Sequence, residues 1–222
     1  YQPSEQGYER QIKERVERRR EEQLAAMLEG AALDGVGMGE VLTYSPGDRA
    51  RERWLARAIS DGGRRLGEIR DRIWQPLQVR RHHVVLDLNA GTGLLTWEAV
   101  RRVPEGSVWS LARDAQAAAA LRQQAERLPE LARPIVLQGD LHALPALLAE
   151  QGEGAVLFDL ILGRNSLTQY PDKAAVARLL RGLLQAGGVL RLAEAVPKHT
   201  QRLYALVDAT SLEPALFDAW RE

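Results

Sequence analysis

"VVLDLNAGTGLLTWEA", Val84 to Ala99, is the stretch on which the reading of this chain turns. An apolar run from Val84 to Leu86 meets an acid, Asp87, and then Leu88. The small-residue turn Asn89-Ala90-Gly91-Thr92-Gly93 follows, and a helix-like segment begins at Leu94. A short unbroken apolar run suits a strand buried on both faces of a parallel sheet. Gly91 and Gly93 lack a Cβ, so the turn can take left-handed backbone angles and approach a ligand closely. A helix that starts directly after such a turn presents unpaired N–H groups and the positive end of its dipole. In an open α/β sheet, ligands bind just outside the carboxyl ends of the strands. Asn89 stands where a glycine would be usual, and asparagine tolerates left-handed angles better than most residues.

Downstream, strands and helices alternate. "SVWSLA" (107–112), "PIVLQ" (134–138), "AVLFDLIL" (155–162) and "VLRLAE" (189–194) read as strands. "GLLTWEAVRRV" (93–103), "AQAAAALRQQAERL" (115–128) and "DKAAVARLLRGLL" (172–184) read as helices, the last stopped by Gly187–Gly188. This rhythm implies a three-layer, doubly wound, Rossmann-like α/β fold with a mostly parallel sheet.

Upstream the chain is different. Residues 8–28 carry dense mixed charge, with Glu9–Lys13 and Glu14–Arg18 spaced for helical pairing. Ile12, Val16, Leu24, Met27 and Leu28 trace a thin apolar stripe, as in a solvated connector or an interaction arm. Gly30, Gly35, Gly37 and Gly39 mark a linker, and Ser45-Pro46-Gly47-Asp48 reads as a helix start. One helical pattern then buries Trp54, Leu55, Ala58 and Ile59, and a second buries Leu66, Ile69, Ile73, Trp74 and Leu77 before breaking near Pro76. The expected organisation is a helical tail (1–30), a linker (31–44) and an α/β domain (45–222) with its core at 80–196.

Composition narrows the function. Thirty basic and thirty acidic residues cancel, so net charge gives no argument for a nucleic-acid or membrane surface. There is no cysteine, which excludes disulfides, thiolate catalysis and thiolate metal sites. No histidine–carboxylate cluster has metal-ligand spacing, so no metal is expected. No apolar run approaches a membrane span, and the expectation is a cytoplasmic protein. A phosphate-binding G-x-x-x-x-G-K-[ST] loop is absent. The dinucleotide pattern G-x-G-x-x-G fails too, because Thr96 stands in its third glycine place.

"VLDLNAGTG" resembles the first motif of class I S-adenosylmethionine-dependent methyltransferases, an acid followed by x-G-x-G-x-G at the end of the first strand. Some of these enzymes carry a bulkier residue at the first glycine place. The resemblance covers about residues 80–196 and implies S-adenosylmethionine as cofactor. It implies that Asp87 serves the methionine amino group and that Asn89, Ala90, Gly91 and Gly93 line the cofactor. The family's ribose-binding acid aligns with Ala112. Asp114, two residues later, could substitute for it or merely cap the next helix. In "QGDLHAL", Asp140 with Leu141 falls where the family contacts adenine, unless Asp140 is a turn aspartate. Asp159 and "GRNS" resemble the fourth motif, which borders the methyl-acceptor site. Arg164, Asn165 and Tyr170 are candidate acceptor-side residues. No catalytic base is assigned: His142 sits in a loop, and His82 and His83 precede the first strand. The family pattern continues past the fifth strand to two antiparallel strands, whereas 197–222 reads as helices only.

"YQPSEQGYERQIKERVERRRE" resembles the C-terminal tail of the replication-associated recombination protein A family of AAA+ ATPases. Tyr1, Pro3, Gly7, Tyr8, Glu9, Ile12, Lys13, Glu14 and Arg15 match it over about twenty residues. The resemblance implies that the α/β domain is an extension fused behind such an ATPase. Its partner would be that ATPase region, with DNA reached through the parent protein. The competing expectation is a non-catalytic binding or regulatory module on the same fold.

Overall fold

The computed structural model describes residues 7–34 and 49–196. The expected linker, the helix start at Ser45, and the segment 197–222 lie outside the described residues. So do the side chains of Ile12, Leu28, Trp54, Leu55, Ala58 and Ile59.

Two long helices, α1 (Gly7–Asp34) and α2 (Arg49–Trp74), precede an alternating series. That series runs β1 (Val84–Asp87), α3 (Leu94–Arg102), β2 (Ser107–Ala112), α4 (Ala115–Ala125) and β3 (Ile135–Gln138). It continues through α5 (Leu144–Glu150), β4 (Phe158–Arg164), α6 (Lys173–Leu183) and β5 (Leu184–Ala193). The five described strands form one parallel sheet in the order β3-β2-β1-β4-β5. The order reverses at β1, which places the switch point between β1 and β4.

Side-chain alternation separates the two faces of the sheet. Leu86, Trp109, Leu111, Leu137 and Ile161 pack on one face with Leu144 and Leu148 of α5 and Val176 and Leu180 of α6. Val85, Val108, Leu160 and Leu162 pack on the other with Ile73 and Trp74 of α2 and Leu95 and Ala99 of α3. Beside them Trp97 of α3 meets Ala118, Leu121 and Ala125 of α4 over Ala112. This is the three-layer doubly wound architecture the alternation predicts.

Several boundaries differ from the sequence reading, each for a pairing reason. β4 starts at Phe158, later than the apolar run 155–162, because Phe158 is its first residue with a strand partner, Leu184 of β5. It continues through Gly163 and Arg164 because β5 offers Leu192 and Ala193 opposite them. β5 begins at Leu184, immediately after α6, with a register irregularity between Phe158 and Leu160. Gly187, at φ 80°, lies in that irregular stretch, so the glycines bend a strand already under way. Helix α5 has no counterpart in the sequence reading, because seven residues are too few to show a helical period. Pro145 in its first turn is the one local signal for it.

The two helical patterns upstream are one helix, α2, running through Gly62–Gly63. An interior glycine costs a helix about 1 kcal/mol relative to alanine. Close packing of α1 offsets that cost. A Cβ on Gly62 would lie 3.1 Å from the Ala26 Cβ, and one on Gly63 would lie 3.2 Å from the Glu22 carbonyl. Ala25 of α1 is fully buried against Leu66 and Leu94. Helix α1 is therefore packed onto the domain along this face.

Gly106 leads into β2 against the backbone that leads into β1. A Cβ there would fall on the His83 carbonyl oxygen and lie 2.9 Å from the His82 and His83 carbonyl carbons. We expect Gly106→Ala to lower stability by about 1–3 kcal/mol, because backbone must move to admit the methyl group. Urea unfolding checks this: the midpoint should fall with the slope unchanged.

Candidate functional site

The site is built at the carboxyl edge of the sheet, from the turn after β1 outward. Asp87 ends β1 directly opposite Ser110 of β2, and both are buried beneath α3. Thr96 of α3 donates its hydroxyl to Asp87 Oδ2 at 2.8 Å and lies 3.0 Å from Ser110 Oγ. The Asn89 N–H reaches Asp87 Oδ1 at 3.4 Å. Burial pushes the Asp87 carboxyl up to about 6, against the opposing hydrogen bonds from Thr96 and Asn89.

Above this carboxylate the chain makes a tight reversal. Gly93 N donates to Ala90 O at 2.6 Å, and Ala90 N donates to Leu111 O at 3.0 Å. Gly91 (φ 44°) and Gly93 (φ 84°) are both left-handed, as the turn requires. A Cβ on Gly93 would also collide with the Trp97 indole and come within 2.9 Å of Leu121. Gly91 meets no such obstacle, since its nearest atom, Asn89 O, would be 3.7 Å away.

Asn89 is not left-handed, contrary to the expectation drawn from its type. Its side chain instead ties the β1 turn to the end of β4. Nδ2 donates to Arg164 O at 3.0 Å and to Asn165 O at 3.5 Å. The left-handed asparagine is Asn165, at φ 51°. Its side-chain oxygen accepts from Ala195 N at 3.0 Å, and its own N–H donates to Ala193 O at 2.9 Å. Asn165 therefore serves the join between β4 and β5. Burial lowers the pKa of Arg164 at the end of β4.

A cleft of about 450 Å³ opens beside the turn, lined by Asn89, Arg113, Asp114 and Asp140. Of the residues expected to line a cofactor, it brings together Asn89, Asp114 and Asp140. Asp114 caps α4, accepting from Ala117 N at 2.7 Å, so the capping role is real. It also faces the cleft. Asp140 caps the turn that follows β3 and accepts from His142 N at 2.9 Å. The Tyr170 hydroxyl donates to Asp140 Oδ2 at 2.7 Å. These two hydrogen bonds hold the Asp140 carboxyl below the usual carboxylate range. Burial and the neighbouring Asp140 together raise the Tyr170 hydroxyl above its ordinary value.

Three of the expected residues lie outside the cleft. Asp159 sits at the start of β4, where it accepts from Val84 N at 2.7 Å and from the Gln185 amide. Val84 is the first residue of β1, so Asp159 is at the amino edge, across the sheet from the cleft. Leu141 is 2% exposed and belongs to the core. Asp87 is 1% exposed and lies beneath the turn, not in the cleft.

Two residues of the site escape the sequence reading. Arg113, between Ala112 and Asp114, lines the cleft; it falls on the first position past β2, where strand periodicity no longer applies. Glu194 follows β5 and gathers the loop after β4. Its carboxylate accepts from the N–H groups of Ser166 (2.8 Å), Leu167 (3.1 Å) and Thr168 (3.2 Å) and from the Thr168 hydroxyl (2.7 Å). Its sequence signal is no more than an acid at a strand end.

No protein-family model matches the sequence, and neither does any curated protein. Solved structures similar to the chain include a coclaurine N-methyltransferase bound to N-methylheliamine and SAH. It is 18% identical at a TM-score of 0.49, over 60% of this chain and 36% of that one. The glycopeptide N-methyltransferase MtfA is 23% identical at a TM-score of 0.44, over 57% of this chain and 52% of that one. A precorrin-6y C5,15-methyltransferase from Geobacter metallireducens is 18% identical at a TM-score of 0.44, over 56% of this chain and 61% of that one. The chain thus spans between 36% and 61% of the length of these three structures.

The buried acid gives a signed pH effect. Its folded pKa of about 6 lies above the ordinary value of 3.8, so the folded state binds the Asp87 proton more tightly than the unfolded state does. Stability contributed by the protonated group is fully present below about pH 4 and is lost as pH rises through about 6. Asp87→Asn should therefore gain stability relative to the parent between about pH 4 and pH 7, by on the order of 3 kcal/mol. Paired denaturant titrations across that range check it; a gap that stays constant with pH refutes the assignment.

Proposed function

We propose that residues 84–196 form an S-adenosylmethionine-binding, methyltransferase-like domain whose cofactor lies in the cleft beside the β1 turn. One observation carries this reading. Left-handed Gly91 and Gly93 lie between a buried acid and the start of α3, in the turn whose Asn89 lines a cleft bearing two further carboxylates. Its volume falls within the range of small-molecule sites, about 300–1,000 Å³.

The residues present fit the group. The turn lets backbone N–H groups come close to a ligand, and Gly93 has no room for a side chain. Asp114 and Asp140 offer acceptors suited to ribose hydroxyls and to an adenine amino group. Asp114 uses one oxygen as a helix cap, and Asp140 is pre-oriented by Tyr170. When bound, S-adenosylmethionine supplies a methyl group already activated by its sulfonium. What remains for the protein is to align an acceptor and exclude water. In this reading the loop 165–170, held by Glu194 and by the Tyr170–Asp140 hydrogen bond, shapes the acceptor side.

We extend the proposal to the whole protein. The match of Tyr1 to Arg15 with the tail of a recombination-type AAA+ ATPase supports a fusion in which this domain serves a DNA-directed motor. A cysteine-free composition suits a cytoplasmic setting. The second reading, a binding module without catalysis, is favoured by Ala112. It is fully buried at the strand end that aligns with the family's ribose acid.

Calorimetry with S-adenosylmethionine and S-adenosylhomocysteine tests the pocket. Saturable heat is expected, and neither heat nor a thermal shift at millimolar ligand would end the proposal. Asp114→Asn is the sharper probe. Asparagine caps a helix about as well as aspartate, so the melting temperature should hold. The dissociation constant should rise about tenfold, equivalent to about 1.4 kcal/mol. Labelled methyl transfer to DNA, RNA or protein then separates enzyme from binding module.

A further inference from the structure

Helix α3 carries three consecutive side chains with different roles. Thr96 holds the buried Asp87, and Trp97 packs against Gly93 of the turn. Glu98 reaches into a cluster of arginines and is 1% exposed. It accepts from Arg102 at 2.9 Å and from Arg101 at 3.2 Å, both on α3. It also accepts from Arg18 of α1 at 3.0 Å, eighty residues away in the chain. Burial works against the charge on Glu98, but Arg101, Arg18 and Arg102 outweigh it and hold its pKa below the ordinary value.

Helix α1 supplies more than Arg18. Glu21 accepts a bidentate pair from Arg101, at 2.9 and 2.7 Å. Glu22 accepts from Arg70 of α2 at 2.8 Å. Arg70 and Arg101 are largely buried, at 5% and 18% side-chain exposure. Lifting α1 away would remove two acids and one base. That would take one acid each from Arg70 and Arg101 and one donor from Glu98, and would open the cluster to water. The docked and lifted states therefore differ in the partners and the hydration of Glu98 and Arg101, side chains carried by α3 itself. The glycine face of α2, at Gly62, Gly63 and Gly67, admits α1 closely enough to set this cluster.

We propose that α1 is a coupling element: its docking on α3 through Arg18 and Glu21 is thermodynamically linked to the conformation and occupancy of the glycine turn. The docked and lifted states of α1 are the two states. The Glu98–Arg101 cluster distinguishes them on one side of α3, and the Trp97–Gly93 and Thr96–Asp87 contacts report them on the other. An α3 of only nine residues is short enough to move as a unit. Linkage is reciprocal, so a ligand at the turn tightens α1 as much as α1 tightens the ligand. A preceding region that pulls on α1 would thereby weaken binding in the cleft. The ligand side of this inference rests on the proposed S-adenosylmethionine site; the effect on the turn itself does not.

Hydrogen exchange on the full chain tests it, in wild type and two variants. Glu21→Gln removes the bidentate pair with Arg101, and Gly63→Leu forces the helices apart without changing charge. Both should speed amide exchange across residues 89–97 by about tenfold and weaken S-adenosylhomocysteine by about tenfold, within the usual range of coupling. Exchange in β3 and α6 should stay at wild-type rates. Saturating S-adenosylhomocysteine should slow exchange across residues 13–27 of α1. Arg64→Gln, which alters an exposed pair with Asp61, should change nothing. The proposal is overturned if α1 exchanges faster in Glu21→Gln while residues 89–97 and the affinity stay as in wild type. If the wild type binds no S-adenosylhomocysteine, the pocket reading fails, and exchange across 89–97 alone decides the coupling. If Gly63→Leu does not fold, Glu21→Gln decides it.

Discussion

The carboxyl edge of the sheet depends on a buried acid. Asp87 ends β1 with no exposure to speak of, and only Thr96 and the backbone of the turn satisfy it. An isolated carboxylate in such a place is expensive, so its surroundings must be ordered to keep it. That need fixes α3 over β1 and β2, because Thr96 must reach both Asp87 and Ser110. With α3 fixed, the chain has only the short stretch 89–93 in which to reverse, and glycine stands at the two positions there where φ is positive. The cleft beside the turn is lined by Asn89 of that reversal, by Arg113 and Asp114 after β2 and by Asp140 after β3.

The same helix is gripped from its other side by charge. Glu98 and its arginines form a cluster in which most members are shielded from water and each has a partner. Clusters of this kind are weak evidence for net stability, because desolvation cancels much of the attraction. They are strong on geometry, because an incomplete cluster costs more than a complete one. α1 is the member that completes this one. A mixed-charge helix that looks solvated in sequence is here half of a buried electrostatic match.

The cleft is more polar than apolar in its lining, and its acids are already engaged. Asp114 caps α4 while facing the cleft, and Asp140 is held by Tyr170. Each of these candidates has a competing structural explanation in the sequence, and in the structure each makes its capping bond and also lines the cleft. A capping carboxylate has a second oxygen, and a fixed carboxylate is a better acceptor than a mobile one. Asp159 is the contrary case. Its acid lies on the right strand but at the wrong end, and strand position alone cannot distinguish the two.

Local rules determined much of this protein. The apolar run 84–86, the glycines at 91 and 93, and the alternation from 107 to 193 were sufficient for a doubly wound parallel sheet with a tight glycine turn after β1. They suffice for the sheet and for the glycine turn because strand burial, glycine backbone freedom and helix propensity act over a few residues. Tertiary structure decided the rest. It carried α2 unbroken through Gly62–Gly63, because α1 packs where those side chains are missing. It gave the left-handed angle to Asn165 and turned Asn89 into a tether between strands, because β4 lies next to β1 only in the folded sheet. It brought Arg18 and Glu21 to Glu98 and Arg101, and Glu194 to the loop after β4. Those contacts join residues far apart in the chain. No local pattern encodes them, since a charge is paired or unpaired only by what the fold brings next to it.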